Sequence, residues 1–201
     1  MEGCQRVLTV QRMIRFLWPV LRTSRIFHLE PGGSSKVAGP LPEGFRLIFP
    51  AESGYLSTDL IRDLDISMDE LQRRLDAGDL LALVVHKGRG AHRTLVQTRG
   101  WAALEGCRKG FHLETGEAFI HYCMTSPACR GLGIYPRVLE AIASHLGAGG
   151  LRRLYIASNI RNEASAIGIL KAGFRPDRTI RVAGCLGGRL AFRHDLGERH
   201  E

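Results

Sequence analysis

Residues 127–136 read Pro-Ala-Cys-Arg-Gly-Leu-Gly-Ile-Tyr-Pro, and they join an apolar run to an amphipathic helical pattern through a glycine-bearing turn. Glycine lets the backbone turn with its amides uncovered, and the helix that follows presents its first free N–H groups and the positive end of its dipole. This arrangement suits a pyrophosphate. An ordinary strand-to-helix loop is the alternative, because short glycine motifs recur by chance.

The flanking residues predict a strand before this turn and a helix after it. Residues 118–125 are rich in aromatic and apolar side chains, which is typical of a strand. After the turn, apolar residues recur at helical spacing until the glycine-rich run 147–150. A second strand is predicted at 154–157, and a polar turn from Asn162 leads into a second helix that ends near Gly173.

Residues 117–174 resemble the cofactor-binding core of the GNAT superfamily of N-acetyltransferases. The family's Arg/Gln-x-x-Gly-x-Gly/Ala motif corresponds to residues 130–135, with Tyr135 in place of the usual small residue. A later family signature is matched in order by Asn162, Ser165, Lys171, Gly173 and Phe174. The resemblance implies an α/β (α+β) fold with a mixed, mostly antiparallel central sheet flanked by helices.

The same resemblance implies a reaction and a set of residues for it. Acetyl-CoA would be the acyl-donor cosubstrate, no metal would be needed, and the acceptor would be a primary amine of a small metabolite such as an amino sugar or amino acid. The residues implied in cofactor binding are Met124, Thr125, Arg130, Gly131, Leu132, Gly133, Ile134, Tyr135, Asn162 and Ser165. A plain helix N-cap is the alternative for Asn162.

Candidate catalytic residues lie on the strand before the glycine turn. Strand alternation predicts His121 and Glu117 on one face and Tyr122 on the other. A histidine suits removal of a proton from an amine near neutral pH, whereas a hydrogen-bonded core histidine is the alternative. Many family members carry a tyrosine acid seven residues after the asparagine matched by Asn162, but here that residue is Ile169. Tyr122, Tyr155 or water would then protonate the leaving thiolate.

Composition limits the other classes of function. The chain has 201 residues and a formal net charge of +8, without the dense Lys/Arg run and interleaved aromatics of a nucleic-acid-binding surface. Its five cysteines form no CxxC pair, which indicates reduced thiols and a cytoplasmic protein. A longer-chain N-acyltransferase and a noncatalytic CoA-binding or partner-binding module are the competing functions. A homodimer is possible.

Two segments are predicted along the chain, an N-terminal basic and apolar extension with its linker (1–41) and an acyltransferase domain (42–201). Residues 5–29 are interpreted as packed on the body or on a second subunit, with contact to a membrane surface as the less favoured alternative. Further predictions are a strand at 45–49, two short helices with a capping box at 67–70, a hairpin of 80–86 with 93–101, a polar loop at 105–116, and a terminal hairpin of 178–186 with 189–194.

Overall fold

A computed structural model describes residues 20–31, 39–50, 56–104, 110–185 and 190–196. Its helices are α1 (Thr58–Ile61), α2 (Met68–Asp76), α3 (Ile134–Ala148) and α4 (Glu163–Lys171). Its strands are β1 (Val20–Leu29), β2 (Phe45–Ile48), β3 (Leu80–His86), β4 (Arg89–Gln97), β5 (Gly100–Ala103), β6 (Gly110–Leu113), β7 (Glu117–Thr125), β8 (Arg153–Asn159), β9 (Arg175–Cys185) and β10 (Leu190–Leu196).

Eight of these strands form one sheet in the order β10-β9-β1-β8-β7-β4-β3-β2, and β5 and β6 form a separate hairpin. Neighbouring strands of the sheet are antiparallel except β7 and β8, which run parallel. The mixed, mostly antiparallel sheet flanked by helices is therefore confirmed. A parallel pair needs a crossover, and α3 supplies it between β7 and β8.

Apolar side chains divide the molecule into two layers around the sheet. Strand β3 shows the division, because Leu81 and Leu83 pack with α1 and α2 whereas Ala82 and Val84 belong to the cluster that contains α3 and α4. The hairpin of β5 and β6 covers a third cluster around Phe119. The sheet thus carries α3 and α4 on one face, and α1, α2 and the hairpin on the other.

Local signals set the start and end of α2. The Ser67 side chain accepts a hydrogen bond from the Glu70 backbone N–H at 3.2 Å, which confirms the serine half of the predicted capping box, whereas the Glu70 carboxylate bonds to Arg74 and Tyr122. The helix ends before Gly78, whose φ of 91° few other residues adopt. None of the described helices is long and apolar enough to span a membrane.

Strand β1 lies between β8 and β9, in the middle of the sheet. Its adjacent residues Ile26 and Phe27 are fully buried on opposite faces, one against the hairpin side and one against α3. Part of the segment interpreted as an N-terminal extension is therefore a central strand. The rest of residues 5–29 lies outside the described residues, and the less favoured alternative of membrane contact there stays untested.

Three predicted boundaries are corrected by the structure. Strand β4 begins at Arg89 rather than residue 93, because Lys87 and Gly88 form a two-residue turn with φ of 49° and 74°. Trp101 belongs to the separate strand β5. The predicted polar loop 105–116 contains β6, which pairs with β5. The predicted terminal hairpin is present as β9 and β10, and its turn lies outside the described residues.

Candidate functional site

The parallel strands β7 and β8 separate at one end. Residues 117–120 of β7 pair with residues 153–156 of β8, and among the described residues no pair joins the two strands beyond this point. Strand β7 nevertheless continues to Thr125 and β8 to Asn159. Each strand therefore keeps one free edge of main-chain groups, which an extended ligand can meet as an added strand does. We call this gap the β7–β8 opening.

A bulge in β7 lies beside the opening. Tyr122 has a φ of 52°, and the register between β4 and β7 shifts at the same place. The buried Arg93 guanidinium donates to the Tyr122 carbonyl and also to the carbonyls of Leu64 at 2.6 Å and Asp65 at 3.0 Å. Burial lowers the pKa of Arg93 below its usual value. Arg93 thus ties the bulge to the segment that follows α1.

The bulge changes which side chains share a face. The Tyr122 hydroxyl accepts a hydrogen bond from Arg74 at 3.1 Å and donates one to Glu70 at 3.3 Å, both on α2. The hydrogen bond from Arg74 holds the pKa of the Glu70 carboxyl below its usual value. The Tyr122 and His121 rings are perpendicular with centroids 5.3 Å apart. The predicted placement of Tyr122 on the opposite face from His121 is therefore wrong, because strict alternation fails at the bulge.

His121 is paired with a buried carboxylate. Its Nε2 lies 3.0 Å from Oδ2 of Asp79, in the loop between α2 and β3, and the two side chains are 12% and 5% exposed. The two groups are within ion-pair distance, but neither His121 Nε2 nor Asp79 Oδ2 has a hydrogen-bond partner in the described part of the chain. The ring of Phe119, two residues earlier on the same face of β7, stacks on the imidazole with centroids 6.1 Å apart. Sequence reasoning missed Asp79.

Glu117, the second candidate base, lies at the closed end of the strand pair. Its carboxylate accepts hydrogen bonds from the Tyr155 hydroxyl at 3.2 Å and from the Glu114 backbone N–H at 3.1 Å. His121 lies four positions further along the strand than Glu117, a span of about 13 Å. The structure therefore brings Tyr122 to His121, and places Glu117 and Tyr155 away from the opening.

The glycine turn leads directly into α3. Gly131 and Gly133 have φ of 78° and 68°, and Gly133 is the N-cap residue without a side chain to cover the first N–H groups. Arg130 donates to the Thr125 carbonyl at 3.3 Å, while Arg137 donates to the Gly133 carbonyl at 2.7 Å. The guanidinium groups of Arg130 and Arg137 and the positive end of the dipole of the 15-residue α3 therefore lie together at the glycine turn.

The start of α4 carries the second predicted group of residues. The Asn162 side-chain oxygen accepts a hydrogen bond from the Ser165 backbone N–H at 3.1 Å, which is the N-cap alternative. The Ser165 hydroxyl lies 3.3 Å from the Tyr135 hydroxyl. Ile169 is fully buried in the core. The role in cofactor binding predicted for Asn162 and Ser165 stays a prediction.

The Tyr135 side chain reaches from α3 towards α4. Its ring fits against Gly168, where an added Cβ would lie 2.5 Å from the ring Cδ1. The hydroxyl lies 3.3 Å from the Ser165 hydroxyl, and the Cys123 thiol of β7 is a near neighbour. Sequence reasoning assigned only the backbone amide of Tyr135 to a role, because its side-chain direction depends on this tertiary packing.

No family profile and no curated protein sequence matches this chain. Among solved structures, a GCN5-related N-acetyltransferase from Sphaerobacter thermophilus matches 95% of this chain and 57% of its own, with TM-score 0.59 and 14% identity. The chain has the fold of GNAT acetyltransferases. A GNAT-family acetyltransferase from Colwellia psychrerythraea matches 88% of this chain and 60% of its own, with TM-score 0.54 and 17% identity.

A third GNAT structure is a tandem protein from the clavulanic acid biosynthesis pathway, determined without acetyl-CoA. It matches 96% of this chain and 59% of its own, with TM-score 0.57 and 14% identity. This chain therefore spans less than two thirds of the length of these GNAT structures. In the described part of the chain, no group of three or more His, Cys, Asp or Glu side chains is placed to hold a metal ion.

Proposed function

We propose that this protein transfers an acetyl group from acetyl-CoA to the primary amine of a small metabolite, such as an amino sugar or an amino acid. The observation that carries the proposal is the β7–β8 opening beside the glycine turn of α3. One feature accepts an extended, amide-containing chain and the other accepts a pyrophosphate. CoA contains both groups joined in one molecule, and the GNAT fold supports acyl transfer in general.

The cofactor would lie across both features. Its pyrophosphate would meet the free N–H groups at residues 131–135, with positive charge from Arg130 and Arg137. Pro136 lies in the first turn of α3 and has no N–H to contribute. The pantetheine arm would run along the free edge of β7 near Met124 and Thr125, whose other edge is paired with β4. This path brings the thioester close to His121.

The acceptor would approach from the face that carries α1 and α2. His121 would take a proton from the amine as its nitrogen attacks the thioester carbonyl carbon, and Asp79 would hold the imidazole in place. Tyr122 is 42% exposed next to His121, and its position suits contact with the acceptor. When the carbon–sulfur bond breaks, the products are the amide and CoA.

A noncatalytic CoA-binding module is the second candidate, and Ile169 is the observation that favours it. This residue replaces the tyrosine acid of many family members and is buried without a polar atom in its side chain. Such a module would bind acetyl-CoA without consuming the thioester. A longer-chain N-acyltransferase would prefer longer acyl-CoAs over acetyl-CoA in the same assay.

The first test compares two glutamate substitutions at opposite ends of α3. In Gly133→Glu, a Cβ would lie 2.2 Å from the Arg137 guanidinium nitrogen, and the new carboxylate would oppose a pyrophosphate. Gly150→Glu is the matched control, because Gly150 also has a positive φ but lies past the other end of α3 with nothing within 4 Å of its Cβ. Thermal unfolding is measured with acetyl-CoA, longer acyl-CoAs, CoA and NAD.

We expect acetyl-CoA to stabilise the wild type and Gly150→Glu but not Gly133→Glu. A ligand at 100 times its Kd stabilises the folded state by about 2.7 kcal/mol, a shift of several degrees in Tm. A wild type that gains no stability from any acyl-CoA would disprove the proposal. If binding is found, release of CoA across a panel of amines separates the enzyme from the noncatalytic module.

A further inference from the structure

We propose that the Tyr135 hydroxyl is the group that protonates the CoA sulfur as it leaves. This inference rests on the proposed acyl transfer, and it supplies the acid that Ile169 cannot supply. It uses the side chain of a residue whose backbone amide alone was assigned to the cofactor.

The hydroxyl lies beside the β7–β8 opening. The Ser165 hydroxyl, in the first turn of α4, lies 3.3 Å from the Tyr135 hydroxyl, and the Cys123 thiol, on the part of β7 that does not pair with β8, is a near neighbour. The opening is bounded by β7 on one side and by β8, which leads into α4, on the other. A phenol placed between α4 and β7 would face the sulfur of an arm that runs along β7 near Met124.

The other described tyrosines are placed for different contacts. The Tyr155 hydroxyl is bound to Glu117 and Arg153 at the closed end of the strand pair. The Tyr122 hydroxyl is bound to α2, on the face from which the acceptor would come. Of the three described tyrosines, Tyr135 alone lies on the α3 and α4 face, the side on which the proposed cofactor site lies.

Packing holds the Tyr135 ring in this position. The absence of a side chain at Gly168 makes room for the ring, because an added Cβ would lie 2.5 Å from Cδ1 and 3.0 Å from Cε1. The His92 ring lies on another side, with centroids 5.8 Å apart. A glycine inside α4 weakens the helix relative to alanine, so the residue type here favours the position of the ring over local helix stability.

The proton transfers balance in this arrangement. The amine nitrogen bonds to the thioester carbon and gives a proton to His121, and the carbon–sulfur bond then breaks with its electron pair on sulfur. The sulfur takes the Tyr135 proton and leaves as the CoA thiol. The phenolate regains a proton from solvent through the Ser165 hydroxyl, and His121 returns its proton to solvent. No oxidant, reductant or metal is consumed.

Tyr135 carries its proton throughout the pH range of the assay. Burial raises the pKa of Tyr135 well above its usual value, and it raises the pKa of the Cys123 thiol to about 11. Both groups are therefore protonated between pH 6 and pH 9. The rate loss caused by removing the hydroxyl is then expected to be the same throughout this range.

The test measures steady-state transfer from acetyl-CoA to the best amine found in a panel of amino acids and amino sugars, together with the Kd of CoA. In Tyr135→Phe, which keeps the ring, we expect kcat to fall about 10²-fold at every pH from 6 to 9, with the Kd of CoA unchanged. Tyr155→Phe is the matched control, because it removes a phenol hydroxyl at the closed end, and its kcat is expected to stay that of the wild type.

A second variant moves the phenol instead of removing it. Gly168→Ala improves the helix propensity of α4 but displaces the Tyr135 ring, and we expect kcat to fall about tenfold or more. In Tyr135→Phe the same Gly168→Ala change is expected to have little further effect, since the hydroxyl is already absent.

The possible results distinguish failure of the role proposed for Tyr135 from failure of the proposed acetyl transfer. If Tyr135→Phe transfers at the wild-type rate, or loses CoA binding instead of kcat, Tyr135 is not the acid while the proposed function stands. If the wild type binds acetyl-CoA but acetylates no amine in the panel, the proposed function and the role of Tyr135 both fall.

Discussion

His92 is the residue that links the stability of the fold to pH most directly. Its two ring nitrogens lie 2.8 Å from the hydroxyls of Thr125 and Thr94, an arrangement that a neutral imidazole satisfies by one donation and one acceptance. Burial, and then the charge of Arg93, lower the pKa of His92 from 6.5 to about 3. The unfolded chain therefore binds a proton that the folded chain does not, from about pH 6.5 down to about pH 3.

We expect this difference to lower the free energy of unfolding by about 2 kcal/mol between pH 7 and pH 5. In His92→Gln, the change in unfolding free energy between these two pH values should be smaller than in the wild type by about that amount. Urea unfolding at both pH values measures it, and His112→Gln, at an exposed position on β6, is the control. A His92→Gln protein with the wild-type pH dependence would show that His92 is charged or exposed in the fold.

The contact of Asp79 with His121 predicts a shared effect on catalysis. In His121→Gln we expect kcat to fall about 10²-fold, as for loss of a general base, and in Asp79→Asn by about tenfold. Because Asp79 acts only through the imidazole, the double variant should be no slower than His121→Gln alone. Steady-state kinetics of the four proteins measure this. Independent, multiplying losses would mean that Asp79 has a structural role apart from His121.

Among the helices and strands, the sequence predicts the ones whose ends are marked by local sequence signals. The glycine turn and the apolar spacing after it predict α3, and the Ser67 cap predicts the start of α2, because both depend on neighbouring residues. The predicted boundaries are wrong where the pairing of strands determines them. The turn at Lys87 and Gly88 depends on the twist of two paired strands, and β6 depends on its partner β5.

The residues of the candidate site likewise include some that the sequence predicts and some that only the fold reveals. The glycine turn and His121 are found from the sequence because a motif and a strand pattern mark them. Asp79 is far from His121 in the sequence, and only the packing of α2 on the sheet brings them together. The bulge at Tyr122 depends on a buried Arg93 that binds carbonyls from two segments, and no local propensity predicts a tyrosine in that conformation.

The whole molecule depends on a strand from the beginning of the described chain. Strand β1 pairs with β8 through residues 24–29 and with β9 on its other side, so it separates β7 and β8 from the terminal hairpin. Without it, β8 would lose one of its two neighbours, and the β7–β8 opening would lose the support of a continuous sheet. If the residues before the predicted boundary between 41 and 42 belong to the folded domain, their packing should contribute to its free energy of unfolding.

A matched pair of substitutions tests whether residues before that boundary belong to the folded body. Ile26 on β1 is fully buried, and Ile26→Ala should lower the free energy of unfolding by about 2–5 kcal/mol through the cavity it leaves. Ile167 on α4 is 53% exposed, and the same change there should have an effect within about 0.5 kcal/mol. Urea unfolding at pH 7 measures both. Equal and small effects would mean that the segment before residue 42 is an extension outside the core, whereas a large loss for Ile26→Ala alone would make β1 part of the domain that holds the site.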